Sequence, residues 1–316
     1  LALSRALALV RRGRVREAAD ACRALLATLE HGHQLLRPLA AALLAVSLQE
    51  SDAPAEAMRA VDAGLEAADE SELGRLWLEH ARATICLERG ELADALDAVN
   101  ESEHLARALG IANPAVVPWQ LVGAHCYAQA GNRSRAAELM ERGSEAAEAF
   151  GTPETICLSL RARAALAQPA SALAHLERAA ELVRGSGAEL EQAKALVAYG
   201  AALQGLGQDR RARTILKRGI DISERLGAAR VSRLGIRALV AAGGRPRRRR
   251  ITGPDALTPA ERRVVALART GARNRDIADE LVIAQKTVEW HLSKAYAKLG
   301  VSSREDLRQA PADPGR

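Results

Sequence analysis

Six alanines set the frame for the first 244 residues. Ala18, Ala57, Ala95, Ala136, Ala172 and Ala212 recur at intervals of 36 to 41 residues. Four of them close a short run that opens on glycine: Gly13-Arg-Val-Arg-Glu-Ala18, Gly90-Glu-Leu-Ala-Asp-Ala95, Gly131-Asn-Arg-Ser-Arg-Ala136 and Gly207-Gln-Asp-Arg-Arg-Ala212. Asp52-Ala-Pro-Ala-Glu-Ala57 is a weaker copy, and Gln168-Pro-Ala-Ser-Ala172 a poorer one. An apolar helical pattern precedes each run, as in Gln120-Leu-Val-Gly-Ala-His-Cys-Tyr-Ala-Gln-Ala130. Glycine takes the left-handed conformation that ends a helix, and alanine is small where the next helix must approach closely. One such pair cannot bury its own apolar face, so neighbours must stack. A repeat of this period predicts a helical solenoid of six helix pairs over residues 1–240.

The composition agrees. Aromatic residues make up 2% of the chain and hydrophobic residues 48%. No segment alternates in the manner of a strand, so the fold class is all-α. No run reaches the roughly 18 apolar residues of a membrane helix. Leu1-Ala-Leu-Ser-Arg-Ala-Leu-Ala-Leu-Val10 is short, and its basic residues follow the apolar run where a signal peptide would have them first. Cys22, Cys86, Cys126 and Cys157 are scattered without a Cys-x-x-Cys pair, which points to buried thiols in a reducing cytoplasm. Trp77, Trp119, Tyr127 and Tyr199 read as core fillers before pocket walls. His31-Gly-His33 reads as a polar turn, because no complete ligand set accompanies it. No phosphate loop, His-Glu-x-x-His or Gly-x-Ser-x-Gly is present. No enzyme, cofactor or metal is therefore expected.

Charge is uneven. Residues 245–316 hold 16 Lys/Arg against 9 Asp/Glu, a net of +7, which leaves −1 for the 244 residues before them. A basic excess confined to the last quarter suits a segment that meets a polyanion. It begins in 241–256, where glycine and proline interrupt helicity and arginines cluster, and this stretch reads as a linker. Arg247, Arg248, Arg249 and Arg250 are candidate contacts to DNA phosphates, non-specific and salt-dependent.

Residues 257–309 follow as a unit, with a short tail at 310–316. Thr258-Pro-Ala-Glu261 is a capping box with proline at the first helical position. Val264, Val265, Leu267 and Ala268 supply one apolar face, and Gly271 ends that helix. Asn274 is placed to cap a second helix, with Ile277, Ala278 and Leu281 facing the core. A third runs from about 285 to 299, with Val288, Leu292, Ala295 and Leu299 on one stripe and Lys286, Glu289, Trp290, Ser293, Lys294 and Ala297 opposite. Ser302-x-x-Glu305 is a further capping box that opens a short fourth helix. Two helices joined by a short turn, the second exposing a polar face amid basic charge, is the pattern of a helix-turn-helix.

Here a family comes into view. Leu257-Thr-Pro-x-Glu261, Asn274-x-x-Ile277-Ala278, Lys286-Thr-Val-Glu-Trp-His291, Lys298-Leu-Gly-Val301 and Ser303-Arg304 together resemble the LuxR-type helix-turn-helix of bacterial transcription regulators. The preceding repeats resemble tetratricopeptide-like repeats, with Leu or Ala at most of the large aromatic positions. Large multidomain LuxR-type regulators combine such repeats with an ATP-binding module. The chain starts with Leu instead of Met and is read as a piece of a longer protein of that kind.

The resemblance implies a sequence-specific regulator that binds double-stranded DNA. Glu289, Trp290 and Ser293 fall at positions that enter the major groove, where a carboxylate accepts from cytosine N4 and an indole edge packs on a thymine methyl. Thr287, Lys286, Lys294, Lys298 and Arg304 are the phosphate-contact candidates. Trp290 has an alternative, to pack beside Lys294 or Lys286, and His291 reads as structural. The fourth helix, about 303–309, implies a homodimer, and the repeats a protein or small-molecule effector. Two departures stand out: Val282 where the family often has glycine, and Ala284 where Ser or Thr usually caps the third helix. Two other readings of the tail stay open. One is a sigma-factor-like module bound to RNA polymerase, the other a loosely nucleic-acid-binding appendage of a repeat scaffold.

Overall fold

The computed structural model describes residues 1–29, 34–68, 71–245, 257–299, 301 and 303–309. Among these there are seventeen α-helices and no strand. None of the helices is long and apolar enough to cross a membrane. The chain divides into two compact units, 1–246 and 247–316.

The first unit is a succession of helical hairpins: α1 (Ala2–Arg11) with α2 (Val15–Thr28), α3 (Arg37–Glu50) with α4 (Pro54–Leu65), and α5 (Glu72–Arg89) with α6 (Leu92–Ala108). α7 (Trp119–Gln129) pairs with α8 (Arg133–Phe150), α9 (Pro153–Leu166) with α10 (Pro169–Leu182), and α11 (Glu189–Gly205) with α12 (Asp209–Leu226), before a single α13 (Ala229–Ala241). The repeated alanines are all buried in second helices; Ala18, Ala57, Ala95 and Ala212 have no exposed surface. The turns explain the motif. Gly13, Gly90, Gly131 and Gly207 have φ between +71° and +80°, and Asp52 takes the same role at +64°. Each lets the next amide reach back to the helix before it, as when Glu91 N donates to Cys86 O at 2.9 Å. Asp is among the few non-glycine residues that accept this conformation. The poorest copy is built differently. Ala167 and Gln168 are extended, and Pro169 opens the next helix.

The core is aliphatic, and the four cysteines are buried in it. Burial pushes the Cys22, Cys86 and Cys126 thiols up to about 11 and Cys157 to about 12. Trp119 and Tyr199 are buried, while Trp77 and Tyr127 pack against the core partly exposed.

A linear solenoid contacts only its neighbours. Here the last helices also meet the first. Val15, at the start of α2, packs with Leu190, Ala193 and Val197 of α11 and Val231 of α13. Arg233 of α13 holds the Asp52 carboxylate with two bonds of 2.7 and 2.8 Å. Arg230, one turn earlier, binds Glu50 at 3.0 Å and also pairs with Glu88. The end of α3 and the turn after it are thereby fastened to α13.

The second unit contains α14 (Pro259–Arg269), α15 (Asn274–Leu281), α16 (Gln285–Leu299) and α17 (Arg304–Gln309). Its core draws on Leu257, Val264, Ala268, Ile277, Val288, Leu292 and Leu307, the stripes expected from the sequence.

Candidate nucleic-acid interface

Glu261 organises the second unit. It is 3% exposed, and its Oε2 accepts from the Thr258 amide at 2.8 Å and from Lys298 Nζ at 2.6 Å. Thr258 Oγ1 in turn accepts from the Glu261 amide at 3.2 Å, completing the capping box. Burial by itself would raise the Glu261 pKa. The Lys298 ammonium and the Thr258 amide outweigh it and hold the carboxylate below its ordinary value. One carboxylate thus starts α14 and ties it to the end of α16.

Two caps differ in register from the sequence expectation. α15 is capped from its own first turn, where Asp276 Oδ2 accepts from the Arg273 amide at 3.0 Å. Asn274 is the first residue of that helix and spends its side-chain oxygen elsewhere, accepting from Arg304 Nη1 at 2.7 Å. At α17 the reciprocal pair is Ser303 and Asp306, with bonds of 2.9 and 3.0 Å, so the box lies one residue beyond Ser302 and Glu305.

The turn between α15 and α16 passes through Val282 at φ 54°, ψ 48°. This left-handed residue is 89% exposed, so its side chain gains nothing from packing. The conformation is the physical reason glycine suits this place.

α16 turns one stripe inward and one outward. Val288, Leu292 and Ala295 are buried, while Lys286, Glu289, Trp290, Ser293 and Lys294 are exposed. Thr287 lies between, partly buried in the first turn. Trp290 is 56% exposed, with Lys294 Nζ 5.9 Å from its ring centre and the His291 ring edge-on at 5.0 Å. Gln285 Nε2 reaches Glu289 Oε1 at 3.4 Å, which holds the carboxylate along the helix.

The remaining sequence candidates divide. Lys298 is engaged by Glu261, and Arg304 binds the Ala272 carbonyl as well as Asn274, so both join helices of the same unit. Neither internal role is visible as a motif. Arg247, Arg248, Arg249 and Arg250 lie outside the described residues. On α17 Glu305 is exposed, Asp306 caps the helix and the Arg308 guanidinium lies beside Gly271, while Leu307 is consumed by the unit's own core.

Residues 255–309 match the family described as "Bacterial regulatory proteins, luxR family". The segment is a LuxR-family helix-turn-helix domain. A protein of Mycobacterium bovis and two of Mycobacterium tuberculosis, each named "Putative HTH-type transcriptional regulator", are 45% identical to this chain over 69 residues. That match takes in 22% of this chain and 8% of each relative. The LuxR-family domain accounts for α14 to α17, and its outward α16 stripe is the surface on which a nucleic-acid reading rests.

Proposed function

We propose that this chain belongs to a sequence-specific DNA-binding transcription regulator. The observation that carries the reading is the outward stripe of α16, set on a LuxR-family domain whose other face is fully packed. In this proposal α16 lies in the major groove. Glu289 and Ser293 bond base edges, and Trp290 packs on a thymine methyl. Lys286, Thr287 and Lys294 contact phosphates, and the arginines at 247–250 add salt-dependent affinity. Lys298 and Arg304, held by Glu261, Asn274 and Ala272, serve first as braces that fix the angle of α16. Pairing through 303–309 would put two reading helices about one turn of DNA apart. With the charged residues Glu305, Asp306 and Arg308 exposed on this helix, such pairing would be sensitive to salt. The helical hairpins of the first unit serve as the input region for an effector.

The test is selection of bound duplexes from a random pool by the full chain, followed by the same selection with Glu289→Ala. A regulator of this kind enriches one site, and the substitution relaxes preference at one base pair by roughly tenfold or more. Random DNA that competes as well as the enriched site would instead make the domain a non-specific tail of a repeat scaffold.

A further inference from the structure

The contact that joins α11 and α13 to α3 and α5 has a cavity beside it. Its volume is about 490 Å³, within the range of small-molecule sites. α11 lines it with Val197, Ala198 and Ala201, and α13 with Val231, Leu234 and Ala238. Arg161 of α9, Lys194 of α11, and Arg230 and Arg237 of α13 complete the wall, which contains no carboxylate.

The acids bind these cations from outside the lining. Glu191 takes Arg161 at 2.5 Å and Lys194 at 3.1 Å, and Glu50 takes Lys194 at 2.7 Å and Arg230 at 3.0 Å. Arg161 and Arg230 are thus partly spent on acids of the same unit, and their Nε atoms are closed off from solvent. Arg237, exposed at the rim, makes no ion pair among the described residues. An apolar floor beside a cationic wall that holds no carboxylate, with Arg237 unpaired at its rim, suits an anion that carries an apolar body.

We propose that this cavity binds a small amphipathic anion, a carboxylate on an aliphatic chain, with Arg161, Arg230 and Arg237 around the carboxylate and the α11–α13 floor along the chain. A bare inorganic anion leaves the floor wet, and a neutral aliphatic molecule leaves Arg237 without a counter-charge. Lys194 and Arg230 also hold Glu50, so a bound carboxylate competes with the residue that fastens α3 to α13. Ligand and closure are coupled through Arg230, which serves both. Only the signalling consequence of that coupling rests on reading the first unit as an input region; the binding site stands without it.

The experiment is calorimetric titration of the full chain with octanoate, with 1-octanol and inorganic phosphate as comparators. Octanoate is expected to bind at one site at least tenfold more tightly than either comparator. Arg237→Gln should weaken it about tenfold, as loss of a charged hydrogen-bond donor does. Ala201→Trp, which fills the floor and leaves the ion pairs intact, should abolish it. Both positions are exposed and lie outside the closure, so circular dichroism should match the unsubstituted chain. Octanol binding as well as octanoate, phosphate binding as well as octanoate, octanoate binding unchanged in both variants, or no heat at millimolar octanoate would each overturn the proposal. DNA binding measured on the same samples separates the two readings. A chain that binds octanoate but no DNA leaves the site standing and removes the regulator.

Discussion

Arg230 Nη2 lies 3.0 Å from the Glu50 carboxylate across 180 residues of sequence. This pair and its neighbours convert a row of hairpins into a unit whose two ends are joined. Glu50 is 6% exposed and faces Lys194 as well. Removing one member of a buried ionic cluster leaves the others under-compensated and costs about 3–5 kcal/mol. Here Lys194 keeps Glu191 and Arg230 keeps Glu88, so the lower end applies. Glu50→Ala should destabilise the first unit by about 3 kcal/mol in urea unfolding. Native-state hydrogen exchange should place the lost protection in α3, α11 and α13. A midpoint unchanged from the unsubstituted chain would mean the two ends hold together by the Val15–Leu190 packing and the Arg233–Asp52 pair without Glu50.

The same carboxylate makes the closure sensitive to acid. Burial would raise the Glu50 pKa, but Lys194 and Arg230 overcome it and bring it down to about 2. A carboxylate depressed in the folded state stabilises fully above its unfolded value of 4.5, and that contribution fades as pH falls from there toward about 2. Glu191 is shifted the same way by Lys194 and Arg161, against its own burial, and acts in the same direction. Stability of the first unit should therefore hold from neutral pH down to roughly 5 and decline below. Glu50→Gln should flatten the decline. Urea midpoints at a series of pH values would show both slopes, and parallel slopes would remove Glu50 as a cause.

How much of this the sequence carries depends on the range over which a signal acts. Glycine or Asp52 followed five residues later by a buried alanine is local chemistry, and it marks the hairpins correctly even in the weaker copy. The Gln168 copy lacks the left-handed turn because Pro169 starts the helix by another route. The closure is illegible, since Arg230 and Arg233 look like any solvated helix face until the far end of the unit is brought to them. In the LuxR-family domain the inward and outward stripes of α16 were readable from period alone. Cap register is not: Ser302-Ser-Arg-Glu-Asp306 contains a serine-to-acid spacing in two frames, and the bonds form in the second. Lys298 and Arg304 read from sequence as phosphate-contact candidates, and their bonds to Glu261 and Asn274, 37 and 30 residues away, lie beyond the range of any local pattern.

Val282 offers a stabilising substitution. A β-branched residue held at φ 54° bears roughly 1–2 kcal/mol of strain, while glycine bears almost none. The side chain is 89% exposed, so its removal forfeits no packing. Part of the gain is offset by the greater freedom of glycine in the unfolded chain. Val282→Gly should stabilise the LuxR-family domain by about 1 kcal/mol, measured by hydrogen exchange of α15 and α16. Slower exchange with unchanged site preference is the expected outcome, and faster exchange would mean that the turn is not held in this conformation.

Lys294 and Lys298 sit one turn apart on α16 yet should respond differently to the same measurement. Lys294 is exposed beside Trp290 and bound to no carboxylate among the described residues, so on the proposed function it is free to meet a phosphate. Lys298 is spent on a carboxylate that is 4% exposed. Lys294→Ala should leave stability nearly unchanged, weaken binding to all duplexes alike and lower the slope of log affinity against log salt by about one. Lys298→Met should do the reverse. It leaves Glu261 without its cation and lowers domain stability by about 2 kcal/mol, less than a fully buried pair because the lysine is 30% exposed. Its salt slope, measured where the domain is still folded, should match the unsubstituted chain. A slope reduced by one in Lys298→Met as well would show that DNA draws the lysine away from Glu261, and the brace would then be a feature of the free protein only.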